Sequence, residues 1–354
     1  MFPEWTWVVG FWIGAAVGSF LNVVIYRLPR GLSIAKPKHS FCPNCKHQLT
    51  GVDLVPLLSW LFLGRKCRHC KVPISSRYFI VELINGVLWG AIWYQQLSAP
   101  WLEMSGPTSA DPVRAVALML FSSALVAAIF TDLAHYIIPD QINAFLLLTG
   151  LGMNVAMVAQ GRPEAWTWGI PSSIAGALTG IGVLWGIALL GRVLFRKDAM
   201  GHGDIKMARG IGAVLFPLLS LVSFGLAVAL GALIGGGIVL VRWMMGKRGT
   251  DTNSANDGAD EEDYEPESIG SLFKCGLGYV LCMDVVGLVF PKVYEWWFAE
   301  DPYSVEEFEE EPRVELTMIP FGPYLAVGAL AAVLWGPQLK QLVDSYIRLN
   351  YGGR

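Results

Sequence analysis

The stretch that decides the fold is residues 207–241, MARGIGAVLFPLLSLVSFGLAVALGALIGGGIVLV, which carry Arg209 as their only charge. About 20 apolar residues cross a hydrocarbon core, so this run is too long for one ordinary span. It reads as two short helices, 207–224 and 225–241, turning near residues 223–225. Runs of the same character stand at about 6–26, 78–97, 113–132, 138–159, 170–191 and 319–336, so about eight transmembrane helices are expected. The 15-residue run 276–290 contains Asp284 and reads as an interfacial or cytoplasmic helix.

Composition agrees with lipid as the solvent. Of the 354 residues, 54% are hydrophobic and 16% charged, against about 25% charged in a soluble domain. That excludes a disordered chain, a disulfide-dense secreted scaffold and a nucleic-acid binder led by net charge. The formal charge of −3 conceals a segregation. Residues 247–316 hold eighteen acids and five bases, a net of −13, and the rest of the chain nets +10. The segment 251–268 is acidic, polar and low in complexity, the composition of disorder.

Basic residues orient the body. Glu4 is the only early charge, and Arg27 and Arg30 follow the first apolar run, the order of a retained anchor with its N-terminus outside. Residues 27–77 hold ten Lys/Arg and one acid, Asp53, so this loop is expected in the cytoplasm. Loops 98–112 and 160–169 are nearly free of bases, as outside loops should be, whereas Arg192, Arg196, Lys197, Lys206 and Arg209 return the chain to the cytoplasm. Three parts follow. Residues 1–97 form an anchor helix, a cytoplasmic cysteine domain at about 27–77 and a second helix. Residues 113–245 with 317–340 form a membrane core, and 247–316 an acidic, partly disordered cytoplasmic insert.

Four of the six cysteines stand as CPNC (Cys42, Cys45) and CRHC (Cys67, Cys70). Two C-x-x-C turns complete a tetrahedron around Zn²⁺, and a reducing compartment disfavours disulfides. A structural zinc site on a small zinc-ribbon-like loop is expected, closed and therefore not catalytic. The competing reading is redox dithiols or unconnected thiols. Cys275 and Cys282, seven apart, read as core residues on one helical face.

Few acids fall in or beside the spans: Glu82, Asp132, Asp140, Asp204 and Asp344. An ionisable group at membrane depth is a functional hypothesis by default. Asp140 opens a helix after Pro139, where an acid satisfies free N–H groups. Asp132 sits at a helix C-terminus, the unfavourable end for an anion. Asp204 lies in GHGD, where Gly201 and Gly203 permit a tight backbone approach. Asp132 and Asp204 are expected at the same cytoplasmic face, so they can meet and share one proton, as in aspartic-protease chemistry. The alternative is that Asp204 pairs with Lys206 or caps the next helix.

GSFLNVVIYRLP at 18–29, the two C-x-x-C pairs, DLVPLLSWLFLGRKC at 53–67, ISSRYFIVEL at 74–83, DLAHYIIPD at 132–140, GHGDIKM at 201–207 and IPFGPYLAVGA at 319–329 occur in this order. Together they resemble the bacterial type IV prepilin peptidases, membrane aspartic peptidases of the G-x-G-D kind. The resemblance covers about 10–245 and 317–336. It implies cleavage of the basic leader of prepilins or pseudopilins at the cytoplasmic face of the inner membrane, with catalytic roles for Asp132 and Asp204, serving pilus assembly or type II secretion. It further implies methylation of the new N-terminus from S-adenosylmethionine. The basic loop also suits anionic membrane lipids. The insert 247–316 departs from the pattern; it reads as a tolerated, solvated insertion, with electrostatic attraction of basic leaders as the alternative. The rival function is a transporter using Asp132, Asp140 and Asp204 as an ion path, and a third is a non-catalytic zinc-bearing assembly protein.

Overall fold

In the computed structural model, helices form wherever the apolar runs lie. The described residues are 2–37, 39–42, 44–98, 111–196, 200–244, 268–299 and 320–351. Helix α1 (Trp7–Arg27) leads into a loop that holds the short helix α2 (Leu58–Phe62), and α3 (Ser76–Trp93) returns antiparallel to it. Helices α4 (Pro112–His135) and α5 (Asp140–Ala159) make a hairpin, and a two-residue ladder, β1 (Trp166–Thr167) with β2 (Ile170–Pro171), opens α6 (Ser172–Phe195). Then come α7 (His202–Met244), the short helices α8 (Ile269–Val280), α9 (Met283–Val289) and α10 (Pro291–Phe298), and α11 (Gly322–Tyr351).

Among the described residues, five helical stretches are long and apolar enough to cross a membrane: Glu4–Arg30, Pro112–His135, Asp140–Ala159, Ser172–Phe195 and His202–Ile238. The pair α8 and α9, bent by 70°, would make a sixth if it counts as one span. The expected count of eight is therefore not confirmed among the described residues. The stretches 78–97 and 322–336 are helical as expected, but neither is in this apolar set.

The largest correction falls on residues 207–241. They do not turn at 223–225; α7 is one long element broken at Phe216, which takes φ 63° and ψ 171°. The cause is Pro217, which lacks an N–H and pushes the residue before it out of the helical region. The run 276–290 is likewise two helices rather than one. The turn at Leu281 and Cys282 puts Cys275 on α8 and Cys282 ahead of α9, so the shared helical face does not exist.

Helix pairs in lipid gain little from water exclusion and associate by close packing, which favours small residues. Helices α6 and α7 meet at Gly176 and Gly212, where a Cβ on Gly176 would stand 1.9 Å from the Gly212 carbonyl oxygen. At the opposite end of the bundle from the site described below, Asp111 caps α4 through the Arg114 N–H (3.0 Å) and forms an ion pair with Arg162. Burial alone would raise the Asp111 carboxyl, but the Arg162 guanidinium holds it below the usual carboxylate range. Asp111 and Arg162, from the two stretches expected outside, thus meet at one end.

The acidic segment 251–267 and residues 300–319 lie outside the described residues. The part of the insert that is described, 268–299, is not a solvated excursion. Three helices pack against α5, α6 and α7, and the Trp185 indole of α6 donates to the Leu272 carbonyl (3.1 Å).

Candidate active site

Helix α4 stops because Tyr136 adopts the left-handed conformation (φ 55°) and its N–H donates to the Asp132 carbonyl at 2.8 Å. Asp132 therefore lies in the last turn, as its position after a long apolar run implied, and it is 5% exposed. Ile137, Ile138 and Pro139 reverse the chain into α5. Asp204 lies in the first turn of α7, partly buried, and its carboxylate is within electrostatic reach of that of Asp132. The two acids, 72 residues apart in the chain, are thus brought to the same end of the bundle.

A third element completes the site. The backbone amide of Gly322, at the start of α11, faces the Asp132 carboxylate. A Cβ on Gly322 would stand 2.4 Å from Asp132 Oδ2 and 3.0 Å from Ile138 Cδ1. Tight approach is required here rather than at GHGD. Cβ atoms on Gly201 and Gly203 would find their nearest neighbours at 3.6 and 3.4 Å, ordinary contact distances. Gly322 was visible in the sequence as part of IPFGP, but nothing there tied it to Asp132.

The other acids have partners. Lys206 does not pair with Asp204; its Nζ donates to both oxygens of Asp140 at 2.8 and 2.9 Å. The Tyr294 hydroxyl of α10 donates to Asp140 Oδ2 at 2.8 Å. Arg209, expected as a loop base, is 1% exposed inside α7 and binds Asp284 of α9 through two nitrogens, at 2.9 and 2.5 Å. Lys206 and Arg209 therefore serve packing and not only membrane orientation. Among the described residues, neither Asp132 nor Asp204 forms an ion pair. Glu82 is buried in α3 and accepts the Leu57 N–H at 2.7 Å, which ties the cysteine loop to the helix; Asp344 is exposed on α11.

The cysteine domain is two matching knuckles. In each, the first cysteine donates its N–H to the carbonyl five residues on (Cys42 to His47, Cys67 to Val72), and the residue after the second cysteine is left-handed: Lys46 at φ 57° and Lys71 at φ 59°. The sulfurs of Cys42, Cys45, Cys67 and Cys70 all lie within 4.8 Å of one another, and Cys42 and Cys70 are 3.9 Å apart. A tetrahedral zinc with bonds of about 2.3 Å sets its sulfurs about 3.8 Å apart. The His47 N–H pulls the Cys45 thiol down, but desolvation and the three neighbouring thiols outweigh it and push it up to about 11. Cys70 moves the other way, to about 6, through the Val72 N–H and then the Asn44 amide. Four thiols this close cannot all ionise without a cation among them, and the donor set fits a metal ion. Arg27 anchors the domain to α1, donating to the carbonyls of Ser33, Ile34 and Pro37 at 3.0 to 3.1 Å. Asp53 accepts from Arg68 Nε at 2.7 Å and from the Thr50 hydroxyl at 2.7 Å, and Thr50 first, with Arg68, holds its carboxyl down at about 2.

With this geometry in place, the comparisons are direct. Residues 12–96 match the bacterial peptidase A24 N-terminal domain, and residues 119–236 match the type IV leader peptidase family. The chain is similar to the prepilin leader peptidase/N-methyltransferase of Myxococcus xanthus (strain DK1622), at 33% identity over 97% of this chain and 94% of that protein. It is also similar to proteins of the same name from Aeromonas hydrophila (33% identity, 66% of this chain, 81% of the relative) and Stutzerimonas stutzeri (27%, 95% and 93%). No solved structure matches the chain. The transporter reading finds no support: the matches are to peptidases, and Asp140, the third acid of that path, is ion-paired. The helices and the matches together make this a multi-pass membrane protein.

Proposed function

The chain belongs to the type IV leader peptidase family, and from that premise we propose that it cuts the leader from type IV prepilins or pseudopilins with Asp132 and Asp204 and then methylates the exposed amine. What supports the first step is that Asp132 and Asp204, two acids without ion-pair partners among the described residues, lie within electrostatic reach of each other at the ends of α4 and α7. Like charges at contact share one proton, so one carboxylate is ionised and the other protonated. The ionised group takes a proton from water as the oxygen attacks the scissile carbonyl, and the protonated group donates to the carbonyl oxygen. Collapse of the tetrahedral species returns that proton and delivers the other to the leaving amine. Gly322 leaves room for the Asp132 carboxylate and turns its amide toward it, which orients that group.

The relatives' name carries the second step, in which the new N-terminal nitrogen takes the methyl group of S-adenosylmethionine. Cys42, Cys45, Cys67 and Cys70 hold zinc in this reading; with four thiolates it has no open position and supplies a cross-link between the knuckles. The bases of loop 27–77 support a cysteine domain and dyad at the cytoplasmic face of an inner membrane, with the N-terminus outside.

The test is incubation of the purified protein with a prepilin, with and without S-adenosylmethionine, followed by product mass. Loss of the leader alone without the methyl donor, and an added methyl with it, is the expected result. An intact prepilin in both arms sinks the reading.

A further inference from the structure

The first turn of α7 opens on a long backbone bond. The Ile205 N–H reaches the Gly201 carbonyl at 3.4 Å, longer than the usual range for such bonds. Helix starts also leave N–H groups without intrahelical partners. Yet Asp204 sits in this turn, and a carboxylate that must meet another needs a fixed position.

The order comes from the insert. The Tyr279 hydroxyl of α8 lies 2.8 Å from His202 Nδ1, two residues before Asp204. Lys206, two residues after Asp204, has its Nζ 3.4 Å from the Tyr294 hydroxyl of α10. The same ammonium stands over the rings of Tyr279, Tyr294 and Phe298 at 5.3, 5.7 and 5.8 Å, a three-sided aromatic enclosure. One turn further, Arg209 donates to the Tyr279 carbonyl at 2.7 Å and pairs with Asp284. Three helices that the family matches do not reach thus grip α7 on both sides of one residue.

We propose that residues 268–299 are a clamp that positions Asp204, with Tyr279 acting through His202 and Tyr294 through Lys206 and Asp140. The proposal rests on the dyad reading above. These residues touch no reacting atom; they are positioning residues. Residues 268–299 of the insert are then a working part of the peptidase, and an enzyme built without them must order this turn by other means.

The test uses the full-length enzyme and a prepilin, comparing Tyr279→Phe and Tyr294→Phe, which remove one hydroxyl each and keep the rings. Each should lower kcat about tenfold with KM within about twofold, since small misplacements of a reacting group are costly. The loss from Tyr279→Phe should vanish in a His202→Ala background, because a residue acting through another has nothing left to act on. Methyl transfer to an already cleaved pilin should be unchanged in both variants. Full kcat in both tyrosine variants overturns the clamp, as does a loss that persists undiminished in the His202→Ala background. A parallel fall in methyl transfer also overturns it, marking general misfolding. Asp204→Asn separates the two levels: cleavage by that variant overturns the dyad itself, whereas inactivity there with active tyrosine variants overturns the clamp alone.

Discussion

Four acids gather at one end of the bundle, and they divide into two kinds. Asp140 and Asp284 are each held by a buried cation, Lys206 or Arg209. Asp132 and Asp204 form no such pair among the described residues and lie within electrostatic reach of each other. A carboxylate paired with a buried cation contributes to the structure. In the proposed dyad, an unpaired couple shares a proton and can do chemistry. The difference lies in partners supplied by other elements, since all four acids stand at helix ends.

The sharpest way to break this comparison is to remove charge on each side of it. Asp132→Asn or Asp204→Asn should abolish leader cleavage, a loss of about a thousandfold or more in kcat, while the protein still inserts and melts near the wild-type temperature. Gly322→Ala tests the same side sterically. Its Cβ would meet Asp132 Oδ2 at 2.4 Å, and displacing the carboxylate should cost about a hundredfold in kcat, read in the same assay. On the paired side, Asp284→Asn strands a buried guanidinium. The expected cost is about 3–5 kcal/mol of stability, visible in thermal unfolding of the detergent-solubilised protein.

Smaller effects belong to the cysteine domain. Cys67→Ser should lower bound zinc measured by metal analysis and reduce stability, with cleavage per folded molecule retained. Asp53 gives the least. Its folded carboxyl is held at about 2, below the unfolded value of about 3.9. Its contribution is therefore present above about pH 4 and lost as pH falls toward 2. Asp53→Asn should cost about 1 kcal/mol at neutral pH and flatten that acid limb in unfolding curves.

The two kinds of acid were not equally legible. Asp132 and Asp204 stood out because an acid beside an apolar span is rare, and basic residues put both on one face. The cysteine quartet was legible because its ligand spacing is local: each knuckle is six residues long. The partners of Asp140 and Asp284 were not. Lys206 is 66 residues from Asp140, and Arg209 is 75 from Asp284. No periodicity connects such distances, and Lys206 lay nearer in sequence to the wrong acid, Asp204. The break at Phe216 had a local signal in Pro217, which was outweighed by length reasoning over the whole run.

The sequence by itself determined a helical membrane chain, a loop whose four cysteines cluster, and the pair of acids to suspect, because hydropathy, thiol spacing and charge placement act over a few residues or one helix. Tertiary structure alone decided which acids are paired with cations, why a Cβ at position 322 would displace the Asp132 carboxylate, and that the insert's helices lie against α7. Those outcomes depend on side chains from separate helices meeting in a medium where an unpaired charge is expensive, and only the packed bundle brings them together.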